Sequence, residues 1–548
     1  MISRREFAQL MVAAASTTAG IGAGSLVKAA AHQNLTQDSL LEFDAIGQVT
    51  LMHLTDIHGQ LMPLYFREPS INIGVGSNVG LPPHVTGKDF LKMFDIQAGS
   101  ELAYALCSED FSALAQTYGK IGGIDRIATI MKAVKAERGD DKVLMLDGGD
   151  TWQGSYTSLK SNGMDMVEVM NQLGVEAMTG HWEFTLGEDR VLELADEFNG
   201  EFLANNIRDT EWDESVFEGI SYFEKGGVNV AVIGQAFPYT PIANPRWMIP
   251  NWSFGIQEKL VAASVEEARA NGAEVVVMLS HNGFDVDRKL ASRVDGIDVI
   301  LTGHTHDALP SMVKVNNTHL VATGSSGKFV ARIDLDVRDG ALKDIRHKII
   351  PIFSDVITPD ADMATLVKSI RAPHEAILNE ELGTAQSTLY RRGNLNGTFD
   401  DLICNALIDQ LDAEIALSPG FRWGPSVLPG QAITREDIYN QTAMSYPSTY
   451  RTKMTGERIK TILEDVGDNL FNPDPYFQQG GDMVRLGGVG TRIHPNEVMG
   501  NRIQDLRLLK SGELIEDSKE YVVAGWASVA PDAEGTPIFD VVENHIKA

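Results

Sequence analysis

Short apolar runs that end in a polar motif recur between residues 49 and 306, and they restrict the possible folds of this 548-residue chain. The runs at residues 49–55, 142–146, 228–233, 274–279 and 299–301 have the length and the flanking residues of buried central strands. Segments with helical spacing lie between them, at residues 123–138, 164–173 and 257–270. This alternation predicts an α/β domain built of layers.

Five polar motifs follow the strands or lie between them. They are Asp56-Ile57-His58-Gly59, Gly148-Gly149-Asp150, Gly180-His181-Trp182-Glu183, Ser280-His281-Asn282-Gly283 and Gly303-His304-Thr305-His306. Loops at the carboxyl ends of strands converge in open α/β sheets, so residues distant in sequence can meet there. Oxygen and imidazole donors without thiolates suit Mn, Fe, Co or Zn, and a shared carboxylate suits a metal pair. The motifs therefore predict a two-metal site.

Composition excludes some classes of function. The formal net charge of −29 argues against binding nucleic acid through a broad basic surface. The two cysteines, Cys107 and Cys404, cannot form a disulfide framework, and neither lies in a thiolate metal motif. Whether these two cysteines pair stays open.

The N-terminus has the pattern of an export signal. Ser3-Arg4-Arg5-Glu6-Phe7 precedes a small-residue apolar stretch and then Ala29-Ala30-Ala31, which predicts a twin-arginine signal peptide over residues 1–31. A membrane anchor is the alternative, although Ala, Gly, Ser and Thr make the stretch only weakly hydrophobic. No later stretch is apolar enough to span a bilayer, so we expect a soluble periplasmic protein.

The rest of the sequence divides into further segments. The predicted catalytic domain covers residues 48–355 and contains an insertion at residues 60–118, rich in Gly, Pro and aromatic residues. A loop of this length inside a compact domain is usually functional or disordered. Residues 356–383 are typical of a polar helical linker, and the composition then changes to that of an α+β domain at residues 384–548.

The ordered motifs resemble those of the calcineurin-like metallophosphoesterases, and in particular the periplasmic 5′-nucleotidases. The similarity continues through residues 433–439 and 454–460, which read ITREDIY and MTGERIK. The resemblance implies a layered αββα domain, a linker helix and a nucleotidase-type α+β C-terminal domain. It also implies two metal sites that share Asp150, one with Asp56, His58 and His306, and the other with His181, His281 and His304.

One motif departs from the nucleotidase pattern. Where those enzymes have Gly-Asn-His-Glu, His181 takes the position of the Asn ligand and Trp182 takes that of the catalytic His. Thr185 replaces the Asp that pairs with this His. An indole cannot exchange a proton near neutral pH. We therefore expect a leaving group that needs no proton, such as a persulfide, rather than an alkoxide.

Residues 180–185 and 58–65, which read GHWEFT and HGQLMPLY, resemble the SoxB family of thiosulfohydrolases in bacterial sulfur oxidation. The resemblance implies two Mn²⁺ ions, with Zn or Fe as alternatives. It also implies release of sulfate from a cysteine S-thiosulfonate on the carrier protein SoxYZ, by attack of a metal-bridging hydroxide in line with the sulfur–sulfur bond. A metal-dependent 5′-nucleotidase or cyclic phosphodiesterase and a non-catalytic periplasmic binding protein are the competing hypotheses.

Four residues are candidates for direct roles in catalysis. His281 and Arg422 would stabilise charge on the sulfonate oxygens. Trp182 occupies the position of the nucleotidase's catalytic His, and Glu183 is a candidate for orienting a His ligand. Arg422 itself lies where the nucleotidases have an Arg that contacts the substrate phosphate.

The substrate-binding side is less constrained by the sequence. Arg391 and Arg392 are further candidates for an oxyanion, because guanidinium groups bind such groups with two parallel hydrogen bonds. Aromatic residues available for stacking on a nucleobase, or for the core, are Trp423, Tyr446, Tyr450 and Tyr476. The insertion would instead narrow the cleft into a channel for a flexible peptide arm and exclude a nucleoside by steric rejection.

Overall fold

The computed structural model describes residues 35–548, so the predicted signal peptide at residues 1–31 lies outside the described residues. Within the described part of the chain, no helix combines the length and the apolar character needed to cross a membrane.

Two six-stranded sheets form the centre of the first domain. In spatial order, the first sheet contains Ala341–Pro351, Phe329–Arg338, Val49–Leu54, Val143–Asp147, Ala177–Met178 and Glu201–Phe202. The second contains Val313–Val315, Thr318–Ala322, Val299–Thr302, Val275–Ser280, Val228–Gln235 and Ile220–Lys225. The strands that precede the polar motifs are parallel neighbours within each sheet. The motifs that follow these strands therefore lie at one edge of each sheet.

Packing explains why the strands are apolar on both faces. Successive side chains of a strand point to opposite faces. Leu51, Leu144 and Val277 pack between the two sheets, whereas Met52 and Met145 pack on the outer faces with the helices. The main helices of this domain are Ile124–Arg138, Met164–Leu173, Glu188–Glu197, Glu258–Ala270 and Phe284–Ala291. This arrangement confirms the predicted layered αββα architecture.

A second, mixed region follows the two-sheet domain. The helices Ala361–Arg371 and Glu375–Leu378 lie in the segment assigned to the linker. A four-stranded sheet then contains, in spatial order, Tyr450–Thr455, Glu520–Gly525, Ile415–Gly420 and Asp482–Gly487. Two further two-stranded sheets pair Glu381–Thr384 with Ala432–Thr434 and Val489–Ile493 with Ile503–Leu508. The helices are Thr398–Leu411, Arg435–Thr442, Gly456–Phe471 and Ile538–Lys547. The α+β prediction for this region is confirmed.

The insertion at residues 60–118 is not a structureless loop. It contains the helices Gly87–Met93, Glu101–Leu106 and Phe111–Tyr118. Lys328 of the two-sheet domain is buried beneath it, where its ammonium group binds the carboxylate of Glu68 and the carbonyl oxygens of Phe66 and Ala105. A buried charge is stable only when it is paired and hydrogen-bonded, so these contacts hold the insertion on the domain.

The insertion also contacts the C-terminal region. The amide of Ser426 donates to the carbonyl of Tyr65 at 2.5 Å, and the amide of Ile73 donates to Oδ1 of Asn394 at 2.6 Å. The hydroxyls of Ser112 and Thr388 lie 2.6 Å apart. The insertion is thus hydrogen-bonded to both parts of the chain. Cys107, within it, and Cys404 are both free and buried, which answers the question of pairing.

Candidate metal centre

Seven buried side chains from the five motifs converge at the edges of the two sheets. Their donor atoms form two groups, and within each group all donor atoms lie within 4.8 Å of one another. One group contains Asp56, His58, Asp150 and His306; the other contains Asp150, His181, His281 and His304. These are the two sets proposed from the sequence, and Asp150 belongs to both.

The first group places two imidazole nitrogens face to face. Nε2 of His58 and Nε2 of His306 lie 3.1 Å apart. Nδ1 of His58 lies 3.2 Å from the carbonyl oxygen of Gln153, and donating to it leaves the lone pair on Nε2. Burial lowers the pKa of His58 to about 4, so the ring is neutral at pH 7. Two facing imidazole nitrogens beside the carboxylates of Asp56 and Asp150 fit a cation site.

Asp150 is the meeting point of the two groups. Its Oδ2 lies 3.2 Å from Nδ1 of His181, 3.1 Å from Nε2 of His281 and 3.7 Å from Nε2 of His58. Burial alone would raise the pKa of Asp150, but His181 and His281 bring it well below its usual value. A fully ionised carboxylate surrounded by imidazoles suits a ligand that bridges two metal ions.

His281 lies between a backbone carbonyl group and the shared carboxylate of Asp150. Nδ1 lies 2.6 Å from the carbonyl oxygen of Gly148, and Nε2 faces Asp150. Burial alone would lower its pKa, but the carboxylates of Asp150 and Asp56 raise it to about 10. A direct contact of His281 with the sulfonate oxygens stays a prediction. The donor set as a whole fits a metal pair.

The backbone of the ligand loops is unusual for residues with side chains. Five of the seven donors have φ angles in the left-handed region: Asp56 (52°), His58 (51°), Asp150 (57°), His304 (70°) and His306 (58°). Such conformations are uncommon outside glycine and cost free energy unless the surrounding structure holds them. Strain of this kind clusters at functional sites.

Glu183 holds two of these loops together without facing a substrate. Its carboxylate accepts hydrogen bonds from the amides of Thr151 at 2.7 Å, His181 at 2.8 Å, Trp152 at 3.2 Å and Asp150 at 3.3 Å. Burial raises the pKa of Glu183, and the amide donors oppose that change. These contacts support the positioning role suggested for Glu183 from the sequence, and a role in catalysis itself stays a prediction.

Trp182 is part of a packed aromatic cluster. Its indole packs edge-on against Trp423 at 4.9 Å and Phe421 at 5.2 Å, and it stacks with Tyr446 at 6.1 Å between ring centroids. Trp423 in turn stacks on the ligand His58 at 4.8 Å. Both Tyr446 and Trp423 are buried, so these aromatic side chains fill the space beside the ligands. Tyr450 and Tyr476 do not belong to this cluster.

The three candidate arginines have different surroundings. Arg391 is fully buried, and its guanidinium binds the carboxylate of Asp400 at 2.7 Å and the carbonyl oxygens of Gln441 and Pro419. It is therefore unavailable to a substrate. Arg422 donates to the carbonyl oxygens of His304, at 3.1 Å, and Gly481, at 2.5 Å.

Arg392 lies on the same side of the centre as Arg422. Its Nη2 donates to the carbonyl oxygen of Thr305 at 2.9 Å, and its buried Nε has no hydrogen-bond partner. Arg392, Arg422 and the ligand His304 line a pocket of about 60 Å³, which Asn72 and His84 of the insertion also line. The expectation that the insertion narrows the cleft into a channel stays a prediction.

The sequence did not indicate the roles of two buried carboxylates, Asp147 and Asp287. Asp147 accepts from the amide of Gly149 at 3.0 Å, and Asp287 accepts from the hydroxyl of Ser280 at 2.8 Å and the amide group of Asn282 at 2.9 Å. Both fix motif loops. Asp147 directly precedes a motif and was discoverable from its position. Asp287 lies in a helix, and no sequence signal marks its contact with the loop.

Comparisons with known proteins identify related folds. The 5′-nucleotidase C-terminal domain family matches residues 378–541. The 5′-nucleotidase of Bos taurus is 26% identical over 450 residues, which cover 73% of this chain and 75% of the bovine protein.

Solved structures extend the similarity to the whole described chain. The sulfate thiohydrolase SoxB of Thermus thermophilus, solved in complex with glycerol, superposes with a TM-score of 0.89 and 35% identity, covering 92% of this chain and 95% of that one. A 5′-nucleotidase precursor from the same organism has a TM-score of 0.71 and 19% identity, covering 91% and 96%, which shows a shared fold.

Proposed function

Because this chain belongs to the SoxB family of the 5′-nucleotidase superfamily, we propose that it is a periplasmic thiosulfohydrolase. The substrate is a cysteine S-thiosulfonate on a SoxYZ-type carrier protein, and the products are sulfate and the carrier persulfide. Export through the twin-arginine signal at residues 1–31 belongs to the same proposal. We also propose that residues 48–355 form the catalytic domain, that residues 356–383 form a linker, and that residues 384–548 form a domain for the substrate and the partner.

One observation carries the proposal: the metal donors of a nucleotidase are complete, whereas its proton donor is replaced by Trp182. The indole is buried against Trp423 and Tyr446. A persulfide is a much weaker base than an alkoxide and leaves without protonation. The loss of an acid beside an intact ligand set is therefore consistent with cleavage of a sulfur–sulfur bond.

The seven donor residues would form two metal sites that share one carboxylate. Asp56, His58, His306 and the shared Asp150 would hold one metal, and Asp150, His181, His281 and His304 would hold the other. When bound, such a pair activates water and neutralises charge on a tetrahedral oxyanion. Manganese is proposed on the resemblance to the family; the donor set also suits Zn or Fe.

Arg422 is the proposed contact for the sulfonate oxygens. Its side chain is only 12% exposed and donates to the carbonyl oxygen of His304, where a charged hydrogen bond is stronger than in water. In the overall reaction, the oxygen of water becomes bonded to the terminal sulfur, the sulfur–sulfur bond breaks, and its electron pair stays on the carrier sulfur. Glu183 and Asp287 keep the ligand loops in place.

The test compares two reactions of the same preparation. Manganese-loaded protein is given a synthetic peptide with a cysteine S-thiosulfonate, and sulfate release is measured; phosphate release from a nucleoside 5′-monophosphate is measured in parallel. We expect sulfate without phosphate. Release of phosphate without sulfate would indicate that the protein is a nucleotidase. Binding of either substrate without turnover would favour a binding protein.

A further inference from the structure

The metal centre is closed to a large substrate in this arrangement. None of its seven donor residues is more than 7% exposed. The pocket that His304 and Arg422 line has a volume of about 60 Å³, whereas sites for small organic ligands usually measure about 300–1,000 Å³. A cysteine S-thiosulfonate attached to a polypeptide therefore reaches the centre only when part of the wall moves.

One part of this wall is a short segment of the C-terminal region, residues 472–481, which we call the strap. It joins the helix Gly456–Phe471 to the strand Asp482–Gly487. Gly480, near its end, lines the pocket. The backbone of Gly480 lies so near His304 that a Cβ would be 2.0 Å from Nε2 of the imidazole. The strap therefore lies directly against one of the ligands.

The strap is a compact unit with its own hydrogen bonds. The side-chain amide of Gln478 donates to the carbonyl oxygen of Asn472 at 2.8 Å and so connects distant parts of the strap. The backbone amide of Asp474 donates to Oδ1 of Asn472 at 3.0 Å, and that of Tyr476 donates to Oδ1 of Asp474 at 2.9 Å. These bonds lie within the strap, so they persist when it moves as one body.

The contacts that hold the strap on the first domain are partly exposed. Asp474 pairs with Lys289 at 2.5 Å, and these side chains are 42% and 25% exposed. The same ammonium group lies 3.9 Å from the centre of the Tyr476 ring, and the hydroxyl of Tyr476 donates to Glu258 at 2.8 Å. The hydroxyl of Tyr239 donates to the carbonyl oxygen of Tyr476 at 2.5 Å. Because exposed ion pairs contribute little to stability, this anchorage can break while the rest of the fold stays intact.

Movement of the strap also releases a group that an oxyanion can use. Nη2 of Arg422 donates to the carbonyl oxygen of Gly481 at 2.5 Å, at the end of the strap. Nη1 of the same guanidinium donates to the carbonyl oxygen of His304 at 3.1 Å. When Gly481 moves away, Nη2 is free to bind an oxyanion, while Nη1 keeps the guanidinium beside the ligand.

We propose that the strap is a gate, which closes the metal centre in the resting protein and swings away from Lys289 and Glu258 to admit the group that is cleaved. The identity of that group as a sulfonate on a polypeptide rests on the proposed function, whereas the closure does not. The movement is local, so the insertion and the rest of the C-terminal region keep their mutual contacts.

The test removes one anchor of the strap. Lys289→Ala loses both the pair with Asp474 and the contact with the Tyr476 ring, so we expect the open fraction to rise about fivefold. Hydrogen exchange of the amides of residues 474–478 should accelerate by the same factor, and so should the removal of manganese from the loaded protein by EDTA. The kcat/KM of a peptide with a cysteine S-thiosulfonate should also rise, because apparent affinity follows the fraction of protein that is competent to bind.

A second variant weakens the anchorage at another contact. Tyr476→Phe loses the hydrogen bond to Glu258 and keeps the ring beside Lys289. We expect exchange, metal removal and kcat/KM to change in the same direction as in Lys289→Ala, by about twofold.

A matched control removes a similar pair elsewhere. Lys132 binds Asp360 at 2.6 Å, and neither residue lines the pocket or belongs to the strap. Lys132→Ala should leave exchange of the strap, metal removal and kcat/KM as in the wild type. Exchange in the strand Asp482–Gly487 reports whether a variant loosens the fold as a whole, and we expect it to stay unchanged in every variant.

The outcomes separate the gate from the proposed function. Faster exchange and faster metal removal in Lys289→Ala, without sulfate release by any variant, would support the gate and reject the thiosulfohydrolase. Unchanged exchange of the strap, or unchanged metal removal, would overturn the gate whatever the activity, since the centre would then be reached by another route. A lower kcat/KM with faster metal removal would show that the closed strap is part of the substrate site, which also overturns the gate.

Discussion

At the residue scale, the metal centre depends on side chains held in conformations that few sequences tolerate. Five ligands have positive φ angles, and each such residue stores strain that only the surrounding hydrogen bonds offset. Glu183 alone receives four of these bonds, from the amides of residues 150, 151, 152 and 181. Ligand loops of this kind respond sharply to single substitutions.

Substitution of His181 tests the ligand assignment. His181→Ala removes one donor from the group around Asp150, so we expect lower metal content and a loss of activity above about 100-fold, beyond the usual effect of an outer partner. His181→Asn is the matched variant, because Asn offers an amide oxygen in the same position and should retain more metal. Full activity of His181→Ala with two metals bound, measured by elemental analysis and sulfate release, would contradict the assignment.

Restoring the missing acid tests the argument from Trp182. The double variant Trp182→His, Thr185→Asp recreates the nucleotidase pair, and a positioned general acid contributes about 10²–10⁴-fold. We therefore expect phosphate release from a nucleoside monophosphate to rise by at least about 100-fold. Because Trp182 is buried, we also expect a loss of about 3 kcal/mol in stability.

Trp182→Phe is the control for this experiment. Phenylalanine keeps an aromatic ring in the cluster but cannot donate a proton. Equal phosphate release from the Trp182→Phe variant and the double variant would show that space, rather than acid catalysis, limits the reaction.

At the element scale, a turn of the C-terminal region approaches the metal centre more closely than any side chain would allow. Gly480 has a φ of 79°, and a Cβ there would lie 2.0 Å from Nε2 of His304. Gly481 has a φ of 76°, but a Cβ there would have only the carbonyl oxygen of Gly420 nearby, at 4.0 Å. The two glycines thus share backbone strain and differ in the contact with a ligand.

This pair gives a prediction with its own control. Gly480→Ala must displace His304 or the turn, so we expect a loss of activity of at least about tenfold together with reduced metal content. Gly481→Ala carries a similar backbone penalty of about 1 kcal/mol and should retain metal and activity. Equal behaviour of the two variants, in metal analysis and sulfate release, would count against contact of the turn with the centre.

Elements were predictable from sequence where the pattern was strong. The helix Met164–Leu173 and the strand Val299–Thr302 agree with the segments expected from periodicity, because central strands and amphipathic helices leave clear apolar patterns. Residues 478–490 are rich in glycine, which favours turns, yet they contain the strand Asp482–Gly487. Pairing with Ile415–Gly420 overrides the glycine-rich composition there.

The site was less uniformly predictable than the fold. Candidate metal donors could be identified because they follow strands in short motifs, and the structure brings together the same two groups that the resemblance implied. The contacts of His84 and Gly480 could not, because they depend on how the insertion and the C-terminal region pack on the first domain. Arg391 and Arg392 are adjacent in sequence, and only the structure separates the buried ion pair from the pocket residue.

At the scale of the whole molecule, the insertion fixes the arrangement of the two regions. A disulfide between Ser112→Cys and Thr388→Cys, whose hydroxyls lie 2.6 Å apart, would lock the insertion to the C-terminal region. We expect the oxidised variant to keep at least half of the wild-type kcat/KM, since the pocket is already complete in this arrangement. Loss of activity on oxidation, reversed by a thiol reductant, would show that the two regions must separate during turnover.

Acid should destabilise the folded protein through a histidine outside the metal centre. Burial, with a smaller contribution from His347, lowers the pKa of His53 to about 3, whereas an unfolded histidine has a pKa near 6.5. As the pH falls, the unfolded state therefore binds a proton at His53 before the folded state does. The stabilisation by neutral His53 is complete above about pH 6.5 and decreases as the pH falls toward 3, by about 2 kcal/mol at pH 5.

Urea unfolding of metal-free protein at pH 7 and pH 5 measures this contribution. His53→Gln should reduce the difference between the two pH values by about 2 kcal/mol. An unchanged difference would mean that His53 is protonated or solvated in the folded state.

The pairing of the first strand has a consequence for how the nascent chain matures. All seven metal donors precede residue 307, but Val49–Leu54 pairs with Phe329–Arg338, and the insertion rests on Lys328 and on contacts with Asn394 and Ser426. A ribosome-bound fragment of about 320 residues would carry every donor and lack the strand that aligns the first motif. Alignment of the first motif therefore has to await synthesis of the strand Phe329–Arg338, and the insertion gains its full set of contacts only when Ser426 has been made.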